Sequence, residues 1–217
     1  MTDFRTVLFD LDGTLIDSIA LILASYHHTL AAHGHPPVPD ADWLRGVGTP
    51  LRVQLAPWGS TPELLDALVT TYRAFNLEHH DRMVRAYPGL NQVVRAIHGS
   101  GRALGIVTSK GREGTLRGLR AVGLDGLIDV VISADDVDRP KPDPEPVRLA
   151  VERLEADPAT TVYVGDSIHD LHAGRAAGVR TAAVLWGPFA RTQLEPGAPD
   201  FWLERPDDLS RLILSSS

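Results

Sequence analysis

Two pairs of closely spaced aspartates are the residues in this sequence best suited to holding a cation. Asp10 and Asp12 follow the apolar run 6–9, and side chains two residues apart on an extended segment point the same way. Asp166 and Asp170 are one helical turn apart, so both can face one ion. Carboxylates this close repel each other, and a bound hard cation relieves the repulsion. Ordinary turn chemistry and N-terminal helix acids are the alternative interpretations of the two pairs.

A set of lysines and hydroxyls accompanies these acids. Thr108, Ser109 and Lys110 follow the apolar run 103–107, and Lys141 is flanked by prolines that limit its backbone. In phosphoryl transfer, carboxylates hold the metal while lysines and hydroxyls bind the phosphate, so the whole set suits that reaction. Taken singly, the two hydroxyls are equally typical of a helix cap, and a lone loop lysine is usually solvated.

Short apolar runs alternate with helical segments over much of the chain, which predicts an α/β fold. The predicted strands are 6–9, 103–107, 127–132, 161–164 and 180–185. The predicted helices among and after them are 90–97, 112–122, 145–155, 170–177 and 207–214. This alternation indicates a Rossmann-like, doubly wound parallel sheet covered on both faces. Open α/β sheets bind ligands at the carboxyl ends of their strands, so the acids, lysines and hydroxyls are expected to meet at one edge.

Only helices are predicted between residues 17 and 86. Their expected ranges are 18–32, 40–55 and 62–80, with breaks at glycines and prolines. Because this block follows the first strand, it is interpreted as an insertion. The predicted organisation is an α/β core formed by residues 1–16 and 87–217, with an inserted α-helical cap domain formed by residues 17–86.

The first motif, Phe9-Asp10-Leu11-Asp12-Gly13-Thr14-Leu15, resembles that of the haloacid dehalogenase-like hydrolase superfamily. The hydroxyl motif at 108–110, the lysine loop around 141 and the acidic motif at 165–170 follow in the family's order, and the resemblance spans the whole chain. In detail the chain is similar to the phosphoglycolate phosphatase-like branch with a helical cap. The resemblance implies a Mg²⁺-dependent phosphatase that hydrolyses a small phosphorylated metabolite, such as a phosphoglycolate-like compound or a sugar phosphate, through an aspartyl-phosphate.

The resemblance also implies roles for the acids. Asp10 is the expected nucleophile, and Asp12 is expected to protonate the leaving oxygen and then deprotonate the attacking water. The expected Mg²⁺ ligands are a carboxylate oxygen of Asp10, the backbone carbonyl of Asp12, and Asp166. Asp170 is expected to be either a further ligand or a residue that orients the ligands.

Further residues are expected to contact the substrate. Thr108 and Lys141 are implied as catalytic residues that bind the phosphoryl oxygens. Arg45, in the glycine-flanked basic stretch 45–48 of the cap, is predicted to grip an anionic group of the substrate, with an exposed surface arginine as the alternative. The predicted substrate-binding residues are Gly13, Thr14, Arg45, Ser109 and Lys110.

Three alternatives to a metabolite phosphatase are weighed. Asp12 is typical of superfamily members that hydrolyse phosphate esters or anhydrides, so inorganic pyrophosphate is the nearest alternative substrate. Thr14 favours a phosphatase over a β-phosphoglucomutase-like enzyme. A non-catalytic binding protein should lack one of the motif acids or Lys141, and none is missing. The histidine pair His169 and His172 lacks a catalytic zinc signature.

Composition limits the remaining possibilities. The chain has 217 residues, no cysteine and a formal net charge of −7. Thiolate metal sites are excluded, and the charge argues against sequence-independent nucleic-acid binding. No apolar run is long enough to span a membrane, and no signal peptide is expected. The predicted protein is cytoplasmic, binds a small phosphorylated metabolite, and is a monomer or homodimer.

Overall fold

The computed structural model describes residues 3–215, which form a parallel six-stranded sheet, helices on both of its faces, and a helical block inserted after the first strand. The strands are β1 (Thr6–Phe9), β2 (Ile16–Asp17), β3 (Arg85–Ala86), β4 (Ala103–Val107), β5 (Val130–Ile132), β6 (Thr161–Gly165), β7 (Arg180–Val184) and β8 (Phe201–Leu203). The helices are α1 (Ile19–Ala32), α2 (Asp40–Leu44), α3 (Leu51–Leu55), α4 (Pro62–Met83), α5 (Leu90–Gly99), α6 (Arg112–Ala121), α7 (Glu145–Arg153), α8 (Ile168–Ala177), α9 (Arg191–Leu194) and α10 (Pro206–Leu214).

The main sheet has the strand order β5-β4-β1-β6-β7-β8, and every pairing in it is parallel. Its first strand is central and wholly buried because helices cover both faces, which is why its sequence is a continuous run rather than an alternating one. Val7 and Phe9 join one core cluster and Leu8 joins another. The predicted α/β, doubly wound fold is therefore confirmed.

The prediction of one helix over 40–55 is wrong, because a polar loop separates α2 from α3. The structure ends α2 at Leu44 and starts α3 at Leu51. The intervening loop contains Gly48 at a φ of 96°, a conformation that favours glycine, and Pro50, which precedes α3. Glycine and proline therefore interrupt what the apolar spacing alone indicates as one helix.

Three short strands were not predicted. β2 and β3 form a two-stranded antiparallel pair, with Ile16 opposite Ala86, where the chain enters and leaves the helical block. β8 extends the main sheet beside β7, and its Phe201 packs edge-on against Phe4 at 5.8 Å between ring centroids. Runs of two or three residues are too short to show a period-two pattern. The predicted strand 127–132 also begins later, at Val130, because a 3₁₀ turn covers its start.

The helical block has an apolar core of its own. Tyr26 of α1 stacks on Trp43 of α2 at 4.1 Å, and Tyr72 of α4 packs against the same tyrosine at 4.8 Å. These rings belong to a cluster separate from those of the sheet. A separate core supports the assignment of residues 17–86 as a cap domain, which stays a prediction. Among the described residues, no helix is long and apolar enough to cross a membrane.

Truncation of a side chain in the central strand tests this packing. Leu8 is completely buried, so Leu8→Ala should lower the free energy of unfolding by about 2–5 kcal/mol, since it leaves a cavity between the sheet and its helices. Val53 of α3 is 58% exposed, and Val53→Ala should change the free energy of unfolding by no more than about 0.5 kcal/mol. Urea denaturation followed by circular dichroism measures both. Equal losses for the two variants would contradict the packing described.

Candidate active site

Three carboxylates meet at the carboxyl edge of the two central strands. Asp10 directly follows β1, Asp166 directly follows β6, and Asp170 lies in the first turn of α8. One carboxylate oxygen from each lies within 4.8 Å of the others, and all three residues are buried. The predicted convergence of motifs at one sheet edge is therefore observed.

The start of α8 fixes the position of Asp170. Ser167 is the N-cap, and its hydroxyl and backbone amide both donate to Asp170 Oδ2, at 2.6 and 3.0 Å. This reciprocal capping box holds the carboxylate rigidly. A Cβ on Gly165 would lie 2.4 Å from the Cβ of Asp170, so only glycine permits this close approach. The Gly-Asp-Ser sequence thus positions the acid that follows it.

Lys141 lies between two of the carboxylates. Its Nζ donates to Asp10 Oδ1 at 2.8 Å and to Asp170 Oδ1 at 2.6 Å, and it lies 3.1 Å from the hydroxyl of Tyr163. Burial alone would lower the pKa of Lys141, but the two carboxylates outweigh burial and hold it above its usual value. The ammonium group is therefore charged, and one lysine faces three buried acids.

The charge of this cluster is not balanced by protein groups alone. Burial, opposed by Lys141, raises the pKa of Asp10 to about 7, with repulsion from Asp170 adding to the increase. Burial and the charge of Asp10 also raise the pKa of Asp166. For Asp170, attraction to Lys141 and the hydrogen bonds from Ser167 outweigh burial and lower the pKa. Within residues 3–215, the buried Asp166 Oδ2 has no hydrogen-bond partner. An orphaned carboxylate oxygen among repelling acids fits a divalent cation, which supplies the missing positive charge.

The turn after β1 places two predicted substrate-binding residues behind Asp166. Gly13 has a φ of 87°, and a Cβ there would lie 2.4 Å from Asp166 Oδ2. The Thr14 hydroxyl donates to Asp166 Oδ1 at 3.0 Å, and Thr14 is completely buried. Thr14 stays a predicted substrate-binding residue, and in this structure its hydroxyl orients the carboxylate of Asp166. Gly13 provides space for the same carboxylate.

Asp12 stands apart from the three clustered acids and faces a cavity between the sheet edge and the helical block. Its carboxylate accepts hydrogen bonds from Lys110 Nζ at 2.9 and 3.1 Å and from the Ser18 hydroxyl at 2.6 Å. The side chain is therefore not one of the clustered oxygens, in keeping with the expectation that only the Asp12 backbone serves the metal. Lys110, predicted to bind substrate, forms an ion pair with Asp12 beside that cavity.

The hydroxyl motif joins the α/β core to the helical block. Thr108 is buried at the end of β4, and its Oγ1 accepts a hydrogen bond from the Lys110 amide at 3.2 Å. The Ser109 hydroxyl donates to the carbonyl of Gly48, in the α2–α3 loop, at 2.6 Å. The structure therefore gives Ser109 a role in linking the two parts, and it leaves Thr108 at the cavity wall.

The cavity has a volume of about 380 Å³ and lies between the sheet edge and helices α1, α3 and α4. Asp10, Asp12, Thr108 and Lys110 form its floor on the core side. The helical block contributes polar and charged lining residues, namely Tyr26, Arg52, Gln54, Tyr72, Arg73 and Asn76.

Arg45 does not reach this cavity. Its side chain is exposed and paired with Asp42 of α2. The grip of Arg45 on the substrate stays a prediction, and the structure does not place this side chain at the cavity. The arginines that do line the cavity are Arg52 and Arg73.

Sequence reasoning also missed Tyr163. It reads as one more apolar residue of β6, yet its hydroxyl lies 2.9 Å from Asp170 Oδ1 and 2.8 Å from the carbonyl of Val107. The cavity face of α4 could have been recognised in the sequence, because Asn76 lies four residues after Tyr72 and three after Arg73, which puts it next to both on the helix surface.

These features together define a phosphatase-type hydrolase with an α/β core. Residues 7–184 match the family described as haloacid dehalogenase-like hydrolase, and the chain belongs to that family. A relative from Bacillus velezensis, named Pyrophosphatase PpaX, is 43% identical over 96% of this chain and 97% of its own length.

Solved structures agree on the fold. A hydrolase from Pseudomonas syringae superposes with a TM-score of 0.86 at 25% identity and covers 97% of both chains. A protein from Haemophilus somnus 129pt, described as a predicted phosphoglycolate phosphatase, has a TM-score of 0.89 at 22% identity, covering 98% of this chain and 99% of its own. At that identity the second match shows the fold alone.

Removal of one clustered carboxylate tests the cation site. Asp166→Asn keeps an acceptor for Thr14 and removes a repelling charge, so the metal-free variant should be more stable than the wild type. A gain of about 1 kcal/mol would raise the melting temperature by about 2–4 °C. Added Mg²⁺ should stabilise the wild type and leave the variant unchanged. Differential scanning calorimetry with EDTA or Mg²⁺ measures both effects. A variant that melts lower than the wild type in EDTA and responds normally to Mg²⁺ would contradict the proposed site.

Proposed function

We propose that this protein is a Mg²⁺-dependent phosphatase that hydrolyses inorganic pyrophosphate through an aspartyl-phosphate on Asp10. The observation that carries the chemistry is the position of Asp10 at the junction of the buried acid cluster and the cavity, beside Lys141 and Thr108. The substrate is inferred from the relative named as a pyrophosphatase, which aligns over nearly the whole chain.

The two oxygens of Asp10 have different environments. Oδ1 accepts the hydrogen bond from Lys141, whereas Oδ2 makes no hydrogen bond within residues 3–215. Oδ2 is therefore the oxygen available to attack phosphorus. The new oxygen–phosphorus bond forms as the bond from phosphorus to the leaving oxygen breaks, which gives the aspartyl-phosphate and free phosphate. Lys141 and Thr108 stabilise the charge that shifts onto the phosphoryl oxygens.

Asp12 serves the second half of the reaction. Ser18 and Lys110 hold its carboxylate at the cavity floor, where it can take a proton from a water molecule. That water attacks phosphorus, the aspartyl–phosphorus bond breaks, and the carboxylate of Asp10 is regenerated. In the first half, Asp12 supplies the proton that an alkoxide leaving group requires. A departing phosphate ion is a much weaker base than an alkoxide and depends less on that proton.

The residues that would hold Mg²⁺ are Asp10 and Asp166, with Asp170 as an orienting residue. Both oxygens of Asp170 are already occupied, Oδ1 by Lys141 and Oδ2 by Ser167. Asp166 keeps a free buried oxygen, so it is the stronger ligand. When bound, the metal neutralises negative charge on the carboxylates and on the phosphoryl group.

A phosphorylated organic metabolite is the second candidate substrate, and the cavity favours it. Its volume lies within the range typical of pockets for small organic molecules. Aliphatic side chains line its wall, among them Ile22, Val47, Leu51 and Leu77. A pyrophosphate ion offers these side chains no apolar surface. The two candidates share the chemistry at Asp10 and differ only in the leaving group.

Comparison of substrates separates the candidates. With Mg²⁺ present, kcat/KM for pyrophosphate should exceed kcat/KM for phosphoglycolate and for hexose phosphates by at least about 10-fold, a difference of about 1.4 kcal/mol in transition-state binding. Phosphate release detected with malachite green measures all three, and Asp10→Asn controls for contaminating activity. A preference for an organic phosphate would replace the proposed substrate and leave the mechanism intact.

Substitution of Asp12 separates the two half-reactions. With p-nitrophenyl phosphate, whose leaving group needs no proton, Asp12→Ala should still phosphorylate Asp10 but hydrolyse the intermediate slowly. Stopped-flow absorbance should then show a burst of about one equivalent of p-nitrophenol per site, followed by turnover about 10²–10⁴-fold below that of the wild type. Absence of a burst together with near-normal turnover would show that Asp12 is not the acid–base residue.

A further inference from the structure

Arg73 is a cation at the cavity wall without a protein partner. Its side chain is exposed, and it makes no hydrogen bond or ion pair within residues 3–215. The other arginine that lines the cavity, Arg52, is paired with Asp66. Of the two arginines that line the cavity, only Arg73 therefore has a guanidinium group free to bind a ligand. Five donors in a planar fork suit a phosphate or carboxylate group.

The position of Arg73 brings it close to the core side of the cavity. Its Nη2 lies 4.0 Å from the point where a Cβ would project from Gly111, the residue that follows Lys110. The absence of a side chain at Gly111 leaves room for the arginine to approach from α4. Arg73 from the helical block and Lys110 from the core thus line neighbouring parts of one cavity.

Lys110 lies on the leaving-group side of the site. Its Nζ contacts both oxygens of Asp12, the residue that serves the leaving oxygen in the proposed mechanism. Lys141, by contrast, is buried against Asp10 and serves the transferred phosphoryl group. The two lysines therefore divide the site into a side for the transferred group and a side for the group that departs.

We propose that Arg73 forms a second anion subsite in the part of the cavity beside Lys110, and that this subsite binds a negatively charged leaving group such as the second phosphate of a diphosphate. This subsite rests on the proposed function, because it is defined relative to attack at Asp10. Besides Asp10 and Asp12, the acids Glu113 and Asp135 line the same cavity and repel anions. Asp135 is partly committed, since its Oδ2 accepts the Arg112 amide hydrogen at 2.7 Å. The unpaired guanidinium group of Arg73 opposes this repulsion, so the subsite favours substrates that carry a second charged group.

Two non-hydrolysable probes test the subsite directly. Methylenediphosphonate carries a second anionic group and methylphosphonate does not. Isothermal titration calorimetry with Mg²⁺ should show that the wild type binds the diphosphonate more tightly. In Arg73→Gln, Kd for the diphosphonate should rise about 10-fold or more, as expected for loss of a charge-assisted hydrogen bond, while Kd for methylphosphonate stays the same. The matched control is Arg82→Gln, an exposed arginine at the end of α4 that does not line the cavity, and it should bind both probes like the wild type.

Kinetics with two substrates provide the second readout. In Arg73→Gln, KM for pyrophosphate should rise at least about 10-fold, whereas KM for p-nitrophenyl phosphate should stay within about 2-fold. Unchanged binding of both probes in Arg73→Gln, or equal losses for both, would overturn the subsite. If the wild type does not hydrolyse pyrophosphate but its diphosphonate affinity depends on Arg73, the proposed substrate fails and the subsite stands.

Discussion

The burial of three carboxylates beside a single lysine is the constraint on which the site depends. Removing charges from water costs several kcal/mol for each ion, and Lys141 offsets only part of the repulsion among Asp10, Asp166 and Asp170. The fold tolerates this arrangement because the acids are held by the ends of β1 and β6 and by the start of α8, all of which are anchored in the core. The uncompensated charge at Asp166 makes the site receptive to a divalent cation.

The same geometry gives the cavity two chemically distinct sides. Lys141 and the clustered acids form one side, where the proposed mechanism transfers the phosphoryl group, and the Asp12–Lys110 pair forms the other. The helical block closes the cavity over the second side, and its contact with the core includes the hydrogen bond from Ser109 to Gly48. In the proposed mechanism the groups that act at Asp10 come from the core, whereas the cavity beside them is lined by residues from both parts of the chain.

Features that depend on local residue patterns could be predicted from the sequence, whereas features that depend on tertiary packing could not. The acids of the first and fourth motifs follow directly from strand ends, so Asp10 and Asp166 were predicted correctly to converge. Arg45 was selected on charge and flanking glycines, but in the structure it pairs with Asp42 and Arg73 lines the cavity instead. Thr14 meets its partner Asp166 only when β1 and β6 pair, since the two residues are far apart in the chain. The hydroxyl of Tyr163 likewise reaches the carbonyl of Val107 only when the sheet forms. The strand β8 was too short to show a pattern.

Reductive trapping of the reacting enzyme tests the central claim most directly. Borohydride reduces an acyl phosphate to an alcohol, so it converts a phosphorylated aspartate to homoserine. After brief reaction of the protein with pyrophosphate and Mg²⁺, peptide mass spectrometry should locate homoserine at position 10. Samples without substrate, and the Asp10→Asn variant, should show none. Homoserine at Asp12 or Asp166, or none at position 10 in an enzyme that is turning over substrate, would contradict nucleophilic attack by Asp10.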